Sequence, residues 1–446
     1  MLGEKLRAGL RRIDLSRQAK ELGAEFEERP SDMVAVTGFA QVGPYGNTYN
    51  TALAELVGKS GIRRFEEGSN AITVAAQAIF NPKDYFSERE LKRLPMVTAM
   101  DIVVAREAAK MAGILDDEGN LQQHLASRKR RIAANMPSGT GPVLGVIDTY
   151  LQIERGERTP AYEGLQIFPE QPTASVSRII QAQGWGGNSS EACATSLSSI
   201  ADSWLRIRSG INDIEIAGGS EDALSTHPEI LSRVFGAMRA ISQEADPQKA
   251  SLPFNVNRSG FVPASGAGAV VLERLDSALE REANIYAVII SARKGMDAGH
   301  PTNMDPDRIA VLILDTLKDR DSAGFFGVDA IFAHATATQQ GDPAEIEALK
   351  KAFGDELKHI PITAIKSMHG HLLGGAGVTN AISAIRAIDR GIIPPVINLS
   401  DLEMIEDVKD LDIVTKTRKV NPQTVLALAY GFGGYDAAVL FGKYNH

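Results

Sequence analysis

Short apolar runs alternate with longer amphipathic stretches along the chain after Pro30. Short apolar runs are typical of buried strands, and the stretches between them have the 3.6-residue spacing of helices. Strands that alternate with helices pack in layers, so this pattern predicts an α/β fold. The predicted strands are Met33–Thr37, Ile214–Ala217, Ala269–Leu272, Tyr286–Ile290, Ala330–Ala333, Ile362–Ile365, Val425–Leu428 and Ala437–Leu440.

Two of the predicted helices begin close to side chains that could carry chemistry. One spans about Ala194 to Ser209, with Cys193 at its N-terminus and Gly210 at its end. The other spans about Val378 to Arg390 and follows a glycine-rich stretch that contains His371. Junctions between strands and helices are where α/β folds present reactive groups, so both side chains are candidates for a site.

A third helix is predicted to begin at Asp342. Proline follows it in the first turn, and Glu345 comes three residues after Asp342, which is the spacing of a capping box. His334 precedes this helix at the end of a predicted strand. It is therefore a third candidate at a strand–helix junction.

The composition limits the possible chemistry. One cysteine in 446 residues excludes an internal disulfide framework and any cysteine-built metal cluster, and it suits a reducing compartment. The net charge of −9 and the pI of about 5.5 argue against nucleic acid as a partner. No stretch reaches the roughly 18 to 20 apolar residues of a membrane helix, and the N-terminus lacks the apolar core of a secretory signal. We therefore expect a cytoplasmic protein without a membrane span.

Residues 1–32 are predicted to form an amphipathic helical extension. Leu2, Leu6, Leu10 and Ile13 share one helical face, with charges of both signs beside it. Packing of this helix on the body of the protein is the main interpretation. A role at a partner or a membrane surface is the alternative, which the mixed charge disfavours.

Cys193 has two interpretations when it is considered alone. A thiol at the start of a helix is close to free N–H groups and to the positive end of the helix dipole, which stabilise a thiolate. The same N–H groups can hold a thioester oxyanion. A lone free cysteine is nevertheless more often a small buried hydrophobic residue, so the neighbouring residues are needed to distinguish the two interpretations.

The residues around Cys193 and along the rest of the chain form an ordered set of motifs. Glu-Ala-Cys-Ala-Thr-Ser at 191–196 is followed by the helix, by Gly210 and Asp213, and by Ala-Gly-Gly-Ser-Glu at 217–221. This segment resembles the active-site region of the β-ketoacyl-ACP synthases, especially the elongating enzymes of type II systems. The resemblance covers nearly the whole chain from about residue 33. Its other motifs include Val-Ala-Val-Thr-Gly-Phe at 34–39, Arg-Ser-Gly-Phe-Val at 258–262, Ala-His-Ala-Thr-Ala-Thr at 333–338, Gly-Asp-Pro-Ala-Glu at 341–345, Lys-Ser-Met-His-Gly-His at 366–371 and Gly-Phe-Gly-Gly at 431–434.

The resemblance implies a thiolase-like α/β fold. Such a fold has five layers, αβαβα, and two halves of similar topology, and the family resemblance also implies a homodimer. The halves would be residues 33–280, with the nucleophilic cysteine, and residues 281–446, with the histidines and the lysine. No internal sequence repeat reveals this duplication.

The resemblance also assigns four residues to catalysis. Cys193 is the nucleophile, and His334 and His371 match the histidines that stabilise the enolate left when a malonyl thioester loses carbon dioxide. Lys366 matches the active-site lysine, whose ammonium would favour a thiolate. Outside these motifs, each histidine would be read as a core residue and the lysine as a solvated charge.

Supporting roles are implied as well. Glu345 is the expected ion-pair partner of Lys366, although a capping role would also explain it. Phe432 matches the loop residue whose N–H completes the oxyanion hole and whose ring gates the acyl pocket. Thr336 and Thr338 match the threonines that bind the phosphopantetheine arm.

Acyl carrier protein is the expected partner, because it carries the substrates on its phosphopantetheine, and no other cofactor is expected. Arg89, Lys92 and Arg93 resemble the family's basic helix for docking this acidic protein, with a solvated helix face as the alternative. His369 and His371 form a His-x-His pair, but no acidic or cysteine ligand is near in sequence, so no metal is predicted.

Several positions depart from the family pattern, and they surround the four reactive residues without replacing them. They should therefore alter substrate preference and rate more than the type of reaction. The departures are Ser196 and Ala335 for glycines, Asn255 and Ser259 for aspartates, Ser265 for glutamate, Leu428 for asparagine and His369 for threonine.

The predicted activity is a decarboxylative Claisen condensation of an acyl group on Cys193 with malonyl-ACP in fatty acid elongation. A specialised polyketide or polyene ketosynthase and a malonyl-ACP decarboxylase are the alternatives closest to it. A noncatalytic partner resembling a chain-length factor is a further alternative, although such partners typically lack the nucleophilic cysteine. A biosynthetic thiolase would need a second cysteine, and Ser-Gly-Thr-Gly at 138–141 lacks the context of a dinucleotide site.

Overall fold

A long mixed sheet forms the centre of the computed structural model, which describes residues 33–65, 72–141, 143–158, 164, 167–225 and 227–445. Its main path has the strand order β10-β9-β13-β14-β8-β1-β7-β6-β5. The strands are β1 (Val34–Gly43), β2 (Gly46–Asn47), β3 (Arg63–Arg64), β4 (Val74–Ala75), β5 (Ile132–Asn135), β6 (Ile214–Asp222), β7 (Ser265–Arg274), β8 (Ala287–Met296), β9 (Ala330–Phe332), β10 (Ile362–Thr363), β11 (Ile392–Ile393), β12 (Arg418–Lys419), β13 (Thr424–Gly431) and β14 (Tyr435–Gly442).

Helices connect most of these strands. They are α1 (Thr48–Val57), α2 (Glu88–Leu91), α3 (Met96–Met111), α4 (Val143–Glu154), α5 (Gln171–Ile179), α6 (Thr195–Arg208), α7 (Pro228–Ala237), α8 (Pro247–Ala250), α9 (Leu275–Glu280), α10 (Pro306–Leu317), α11 (Gly341–Phe353), α12 (Lys366–His369) and α13 (Ala376–Arg390). Short 3₁₀ turns precede two of them, at Ala192–Ala194 before α6 and at Leu373–Gly375 before α13.

The sheet contains the same strand pattern twice. In the order β5-β6-β7-β1, the first pair is parallel and the next two are antiparallel. The order β9-β13-β14-β8 repeats these directions, and β10 adds one more parallel strand at its edge. The two repeats join where β1 pairs with β8. The prediction of two halves with similar topology is therefore confirmed, while the boundary at residue 280 stays a prediction.

Helices form three layers around the two half-sheets. Helices α6 and α13 are buried along most of their length between the halves, and their apolar residues pack against inward-facing residues of both. Helix α3 covers the outer face of the first half, and α10 and α11 cover the outer face of the second. This arrangement confirms the predicted αβαβα layering. The central layer includes Leu197, Ile200, Ile382 and Ile385, which face Val270 and Val439.

The predicted strands and helices are present in the predicted order, with some differences in length. The strand predicted at Ile362–Ile365 is shorter, because the chain turns into α12 directly after Ala364. The extension of residues 1–32 lies outside the described residues. In the part of the chain that the structure describes, no helix has the length and apolar character needed to cross a membrane.

Candidate active site

Cys193 lies in a tight turn immediately before α6. The preceding Ala192 has a φ of +47°, in the left-handed region that side chains rarely adopt. Thr195 holds this turn, because its hydroxyl accepts the N–H of Glu191 at 2.8 Å and donates to the carbonyl of Ala192 at 2.7 Å. The thiol is thereby fixed at the N-terminal end of the buried helix.

The thiol of Cys193 is protonated in the free protein at neutral pH. Burial raises its pKa to about 12, and the nearby Glu221 adds to this, although the ammonium of Lys366 and the N–H groups of Phe432 and Cys193 lower it. Lys366 and the N–H groups thus act in favour of a thiolate, but removal of water from the sulfur outweighs them. The two N–H groups directed at the sulfur have the arrangement of an oxyanion hole.

Glu345 and Lys366 hold the backbone of His334 from two sides. The Glu345 carboxylate accepts the N–H groups of His334 and Ala335, both at 2.7 Å. The Lys366 ammonium donates to the carbonyl oxygen of His334. These contacts fix the end of β9 and therefore the position of the His334 imidazole.

These backbone contacts replace the expected direct ion pair between Glu345 and Lys366. Among the described residues, no carboxylate forms an ion-pair contact with this ammonium, whose direct partner is the carbonyl of His334. The two charges still influence each other. Burial raises the pKa of Glu345 and lowers that of Lys366, and their mutual attraction opposes both shifts.

The capping box predicted at the start of α11 is wrong. The helix begins at Gly341, and the residue before it makes no side-chain hydrogen bond to the first turn. Asp342 lies inside the helix and accepts the N–H of Phe254, from a distant segment, at 2.9 Å. Both acids of the predicted box therefore bind backbone N–H groups of other segments.

The imidazoles of His334 and His371 face each other edge to face. Their ring centroids are 5.4 Å apart at an angle of 87°. The N–H of His371 donates to Val262 at 2.7 Å, which ties this loop to the segment before β7. Within the described ranges, the buried Nδ1 atoms of both rings have no hydrogen-bond partner, so Nε2 is the nitrogen available to the cavity that the rings line.

Both histidines are neutral at neutral pH. Burial lowers their pKa values well below the usual value, and the positive charge of Lys366 lowers them further. A neutral imidazole has one N–H donor and one nitrogen acceptor. The pair can therefore donate hydrogen bonds to a developing anion without carrying a charge of its own.

A cavity of about 370 Å³ brings the reactive groups together. Lys366 lies behind His334 and acts on the cavity electrostatically rather than from its wall. The sequence-predicted residues on the wall are Cys193, His334, His371, Glu345, Phe432, Thr336 and Thr338.

The loop that carries Phe432 approaches the nucleophile closely. A Cβ at Gly431 would lie 2.6 Å from the carbonyl oxygen of Glu191, so only glycine permits this approach. The Phe432 ring is partly buried and packs near Phe235, with centroids 6.4 Å apart. This position agrees with the predicted gating role, which stays a prediction.

Thr336 and Thr338 present their hydroxyls beside each other on the cavity wall. The two oxygens are 3.2 Å apart, and that of Thr338 accepts the N–H of Gly341 at 3.1 Å. Arg258 holds the same segment by donating to the carbonyls of Thr338 and Gln339. The segment is therefore rigid enough to position hydroxyl groups for a ligand.

Glu221 is a residue of the site whose role the sequence did not reveal. It is 1% exposed and accepts hydrogen bonds from Ser138, from the hydroxyl and N–H of Thr140, and from the N–H of Gly374. It thereby joins two loops beside Cys193. An acid at the end of the buried motif Ala217–Glu221 was the available signal, since a buried acid requires partners.

His369 does not point towards the site. Its Nε2 lies 3.0 Å from Oε1 of Glu55, a buried acid that also contacts Arg386 at 3.0 Å and Ser383 at 2.7 Å. Burial raises the pKa of Glu55, but the attraction of Arg386 and His369 and the hydrogen bonds of this cluster lower it overall. His369 and His371 therefore have separate environments, since His369 contacts Glu55 and His371 lines the cavity.

Ser196 forms a contact that the usual glycine could not make. Its hydroxyl accepts the N–H of Val378 in the first turn of α13 at 2.9 Å. The residue that caps α13, Gly375, has no side chain to do so. Ser196 therefore links the helix after Cys193 to the helix after His371.

We expect Ser196→Ala to destabilise the protein by about 1–2 kcal/mol, because it leaves a buried N–H without an acceptor. Equilibrium unfolding in urea would measure the loss. Ser209→Ala is the matched control, since Ser209 is exposed at the end of α6. Equal stability of the two variants would contradict the linking role.

Other departures also have local partners. The hydroxyl of Ser265 accepts the N–H of Ala78 at 2.8 Å, and that of Ser259 lies 3.0 Å from the hydroxyl of Ser242. Ala335 has a φ of +21°, so its Cβ adds backbone strain beside His334. Leu428 is buried, and its carbonyl accepts a hydrogen bond from Asn380.

The predicted docking residues lie apart from the cavity wall. Arg89, Lys92 and Arg93 are exposed on and directly after α2. Ser87 and Glu90 form a capping box that stabilises this short helix. The structure thus presents a basic exposed segment, and its use in docking stays a prediction.

Comparison with known proteins identifies matches along nearly the whole chain. The family model described as β-ketoacyl synthase, N-terminal domain, matches residues 31–278, and the one described as β-ketoacyl synthase, C-terminal domain, matches residues 286–400. The 3-oxoacyl-[acyl-carrier-protein] synthase 2 of Staphylococcus aureus (strain COL) is 32% identical over 434 residues, covering 92% of this chain and 98% of that protein.

Solved structures agree with this result. A β-ketoacyl synthase from Burkholderia phymatum STM815 has a TM-score of 0.82 and 26% identity, covering 93% of this chain and 100% of that one. The AntDE:AntF complex, described as a type II PKS acyl-carrier protein in complex with its ketosynthase, has a TM-score of 0.81 and 27% identity, covering 94% and 100%. On this evidence, the chain belongs to the β-ketoacyl synthase family.

Proposed function

We propose that this protein is a β-ketoacyl-ACP synthase that condenses an acyl group with a malonyl unit during fatty acid elongation. The observation that carries the proposal is a single buried cavity where one thiol, two neutral imidazoles and two N–H groups directed at the sulfur converge. This set supplies a nucleophile, donors for an enolate and donors for a tetrahedral oxyanion.

The first half of the reaction is acyl transfer to Cys193. Its sulfur attacks the carbonyl carbon of the acyl thioester, and the N–H groups of Cys193 and Phe432 hold the oxyanion. Collapse of the intermediate breaks the bond to the pantetheine sulfur, which takes up the proton that Cys193 gives up.

The second half is decarboxylation and condensation. Loss of carbon dioxide from the malonyl thioester leaves an enolate, whose oxygen accepts hydrogen bonds from Nε2–H of His334 and His371. The enolate carbon attacks the acyl carbonyl on Cys193, and the oxyanion hole is used a second time. Expulsion of the cysteine sulfur, with return of its proton, releases the β-ketoacyl product.

Acyl carrier protein is the proposed carrier of both substrates. The Staphylococcus aureus relative is named for this carrier, and the AntDE:AntF structure contains an acyl-carrier protein with a ketosynthase. Arg89, Lys92 and Arg93 are proposed to attract its acidic surface. Thr336 and Thr338 are proposed to hydrogen-bond the phosphopantetheine arm inside the cavity.

A homodimer is proposed from an exposed apolar stripe on α4. Val143, Val146, Tyr150 and Ile153 follow helical spacing, and each is between 44% and 59% exposed. Apolar stripes of this kind are usually covered by a partner. Light scattering should therefore report twice the 47.9 kDa mass of the chain.

A panel of acyl-ACPs, each incubated with the protein with and without malonyl-ACP, tests the activity directly. Mass spectrometry should detect an acyl group on the protein without malonyl-ACP, and a product two carbons longer, with a β-keto group, when both substrates are present. Release of carbon dioxide without a longer product would identify a decarboxylase instead. Absence of both acylation and carbon dioxide release would identify a noncatalytic partner.

A polyketide ketosynthase is the second candidate, because AntDE:AntF, a type II PKS complex, matches this chain as well in overall fold as the β-ketoacyl synthase does. The same panel distinguishes the two if it includes acyl chains with keto groups at alternate carbons. Preference for saturated chains supports fatty acid elongation. Preference for the poly-keto chains supports the second candidate.

A further inference from the structure

Tyr430 is a polar residue beside His334 that the mechanism above does not use. It lies near the end of β13 and is 3% exposed. Its ring packs edge to face against His334, with centroids 5.5 Å apart, and it forms part of the cavity wall. The tyrosine therefore packs against His334 within the site.

The hydroxyl of Tyr430 is buried and has no hydrogen-bond partner among the described residues. Buried polar groups in folded proteins are nearly always paired, because an unpaired group loses its contacts with water and gains nothing in return. A phenylalanine would fill the same space without this loss. The hydroxyl therefore calls for a function that offsets its cost.

Its neighbour His334 has a nitrogen that lacks a hydrogen-bond donor. Nδ1 of His334 is likewise buried, without a partner in the part of the chain that the structure describes. To donate a hydrogen bond from Nε2, a neutral imidazole must carry its proton on Nε2, which leaves Nδ1 as a bare acceptor. A donor directed at Nδ1 would favour this tautomer, and the phenol is an unused donor that packs against the same ring.

Charges around Tyr430 keep it a donor. Its pKa is raised well above the usual value by burial and by the negative charges of Glu345 and Asp436. Asp436 lies directly opposite Tyr430 on β14, and burial with the charges of Asp297 and Asp305 raises its own pKa to about 8. The phenol thus keeps its proton at every pH at which the protein would work.

We propose that Tyr430 is a positioning residue that holds His334 in the Nε2–H tautomer through one bridging water. The hydroxyl donates to the water, and the water donates one hydrogen to Nδ1 of His334 and the other to the carboxylate of Glu345. All three groups are buried, and the Glu345 oxygens keep free lone pairs after accepting two N–H groups. A buried water with three polar partners is a common structural element.

Tyr430→Phe tests this inference, which rests on the proposed role of His334. We expect the turnover number for carbon dioxide release from malonyl-ACP to fall about tenfold, the low end of what partners that orient a reactive imidazole contribute. Acylation of Cys193 and the KM for malonyl-ACP should stay unchanged, because only the enolate step uses the tautomer. Tyr286→Phe is the control, a half-buried tyrosine outside the cavity lining.

His334→Ala separates failure of the inference from failure of the proposed function. If His334→Ala loses decarboxylation while Tyr430→Phe equals wild type and unfolds at a higher temperature, the hydroxyl is merely an unpaired group and the inference is overturned. If Tyr430→Phe slows acylation and decarboxylation equally, it acts through packing and the inference is also overturned. If His334→Ala itself decarboxylates normally, the proposed role of His334 fails.

Discussion

Cys193→Ala is expected to abolish formation of the acyl-enzyme and to reduce condensation by about 10⁴-fold or more, since loss of a covalent nucleophile removes the whole two-step route. The chain contains no other cysteine that could accept the acyl group. Intact-mass spectrometry after mixing with acyl-ACP measures this directly. Wild type should gain the mass of one acyl group, and the variant should gain none.

The alanine variant should remain folded, because Cys193 packs in a small apolar cluster where loss of one sulfur leaves little space. It keeps both histidines, so it should still release carbon dioxide from malonyl-ACP. Equal acylation of the variant and wild type would contradict a mechanism in which Cys193 is the nucleophile. Loss of carbon dioxide release together with acylation would indicate a damaged fold instead.

His371→Ala is expected to have the opposite defect. Acylation of Cys193 should continue, because both oxyanion N–H groups belong to the backbone of other residues. Decarboxylation should fall by about 10²–10³-fold, the usual effect of removing one donor to a developing oxyanion. Stopped assays with acyl-ACP alone and with malonyl-ACP measure the two steps separately.

His359→Ala is the matched control for this variant, since His359 is exposed and lies outside the cavity. It should equal wild type in both assays. If His371→Ala decarboxylated as fast as this control, the enolate would not depend on His371. If it failed to acylate, the residue would serve the first step as well.

Much of the fold followed from local sequence pattern. The strands were predicted from their apolar centres, and β6, β7, β13 and β14 occur where predicted, although they are longer because sheet pairing also includes polar residues at their ends. The duplication was invisible in the sequence. The two halves have the same strand order and strand directions, which unrelated sequences can share.

The errors concern partners that are distant in sequence. Asp342 and Glu345 have capping-box spacing, but their carboxylates accept the backbone N–H groups of Phe254 and His334. Local spacing carries no information on such contacts. The protonation state of Cys193 could not be derived from its neighbours in sequence, because burial by the folded chain outweighs the effect of nearby charges on its pKa. Positions set by motif were more reliable, since Cys193, His334 and His371 do converge on one cavity.

The buried, protonated thiol of Cys193 has a consequence for oxidative damage. Peroxides attack thiolates that solvent can reach, and the sulfenic acids they form are rescued by a second, resolving cysteine. This chain has no second cysteine, so an oxidised Cys193 could not be repaired from within. The same desolvation that suppresses the resting thiolate therefore also slows oxidation of a cysteine that the chain could not restore with a second thiol.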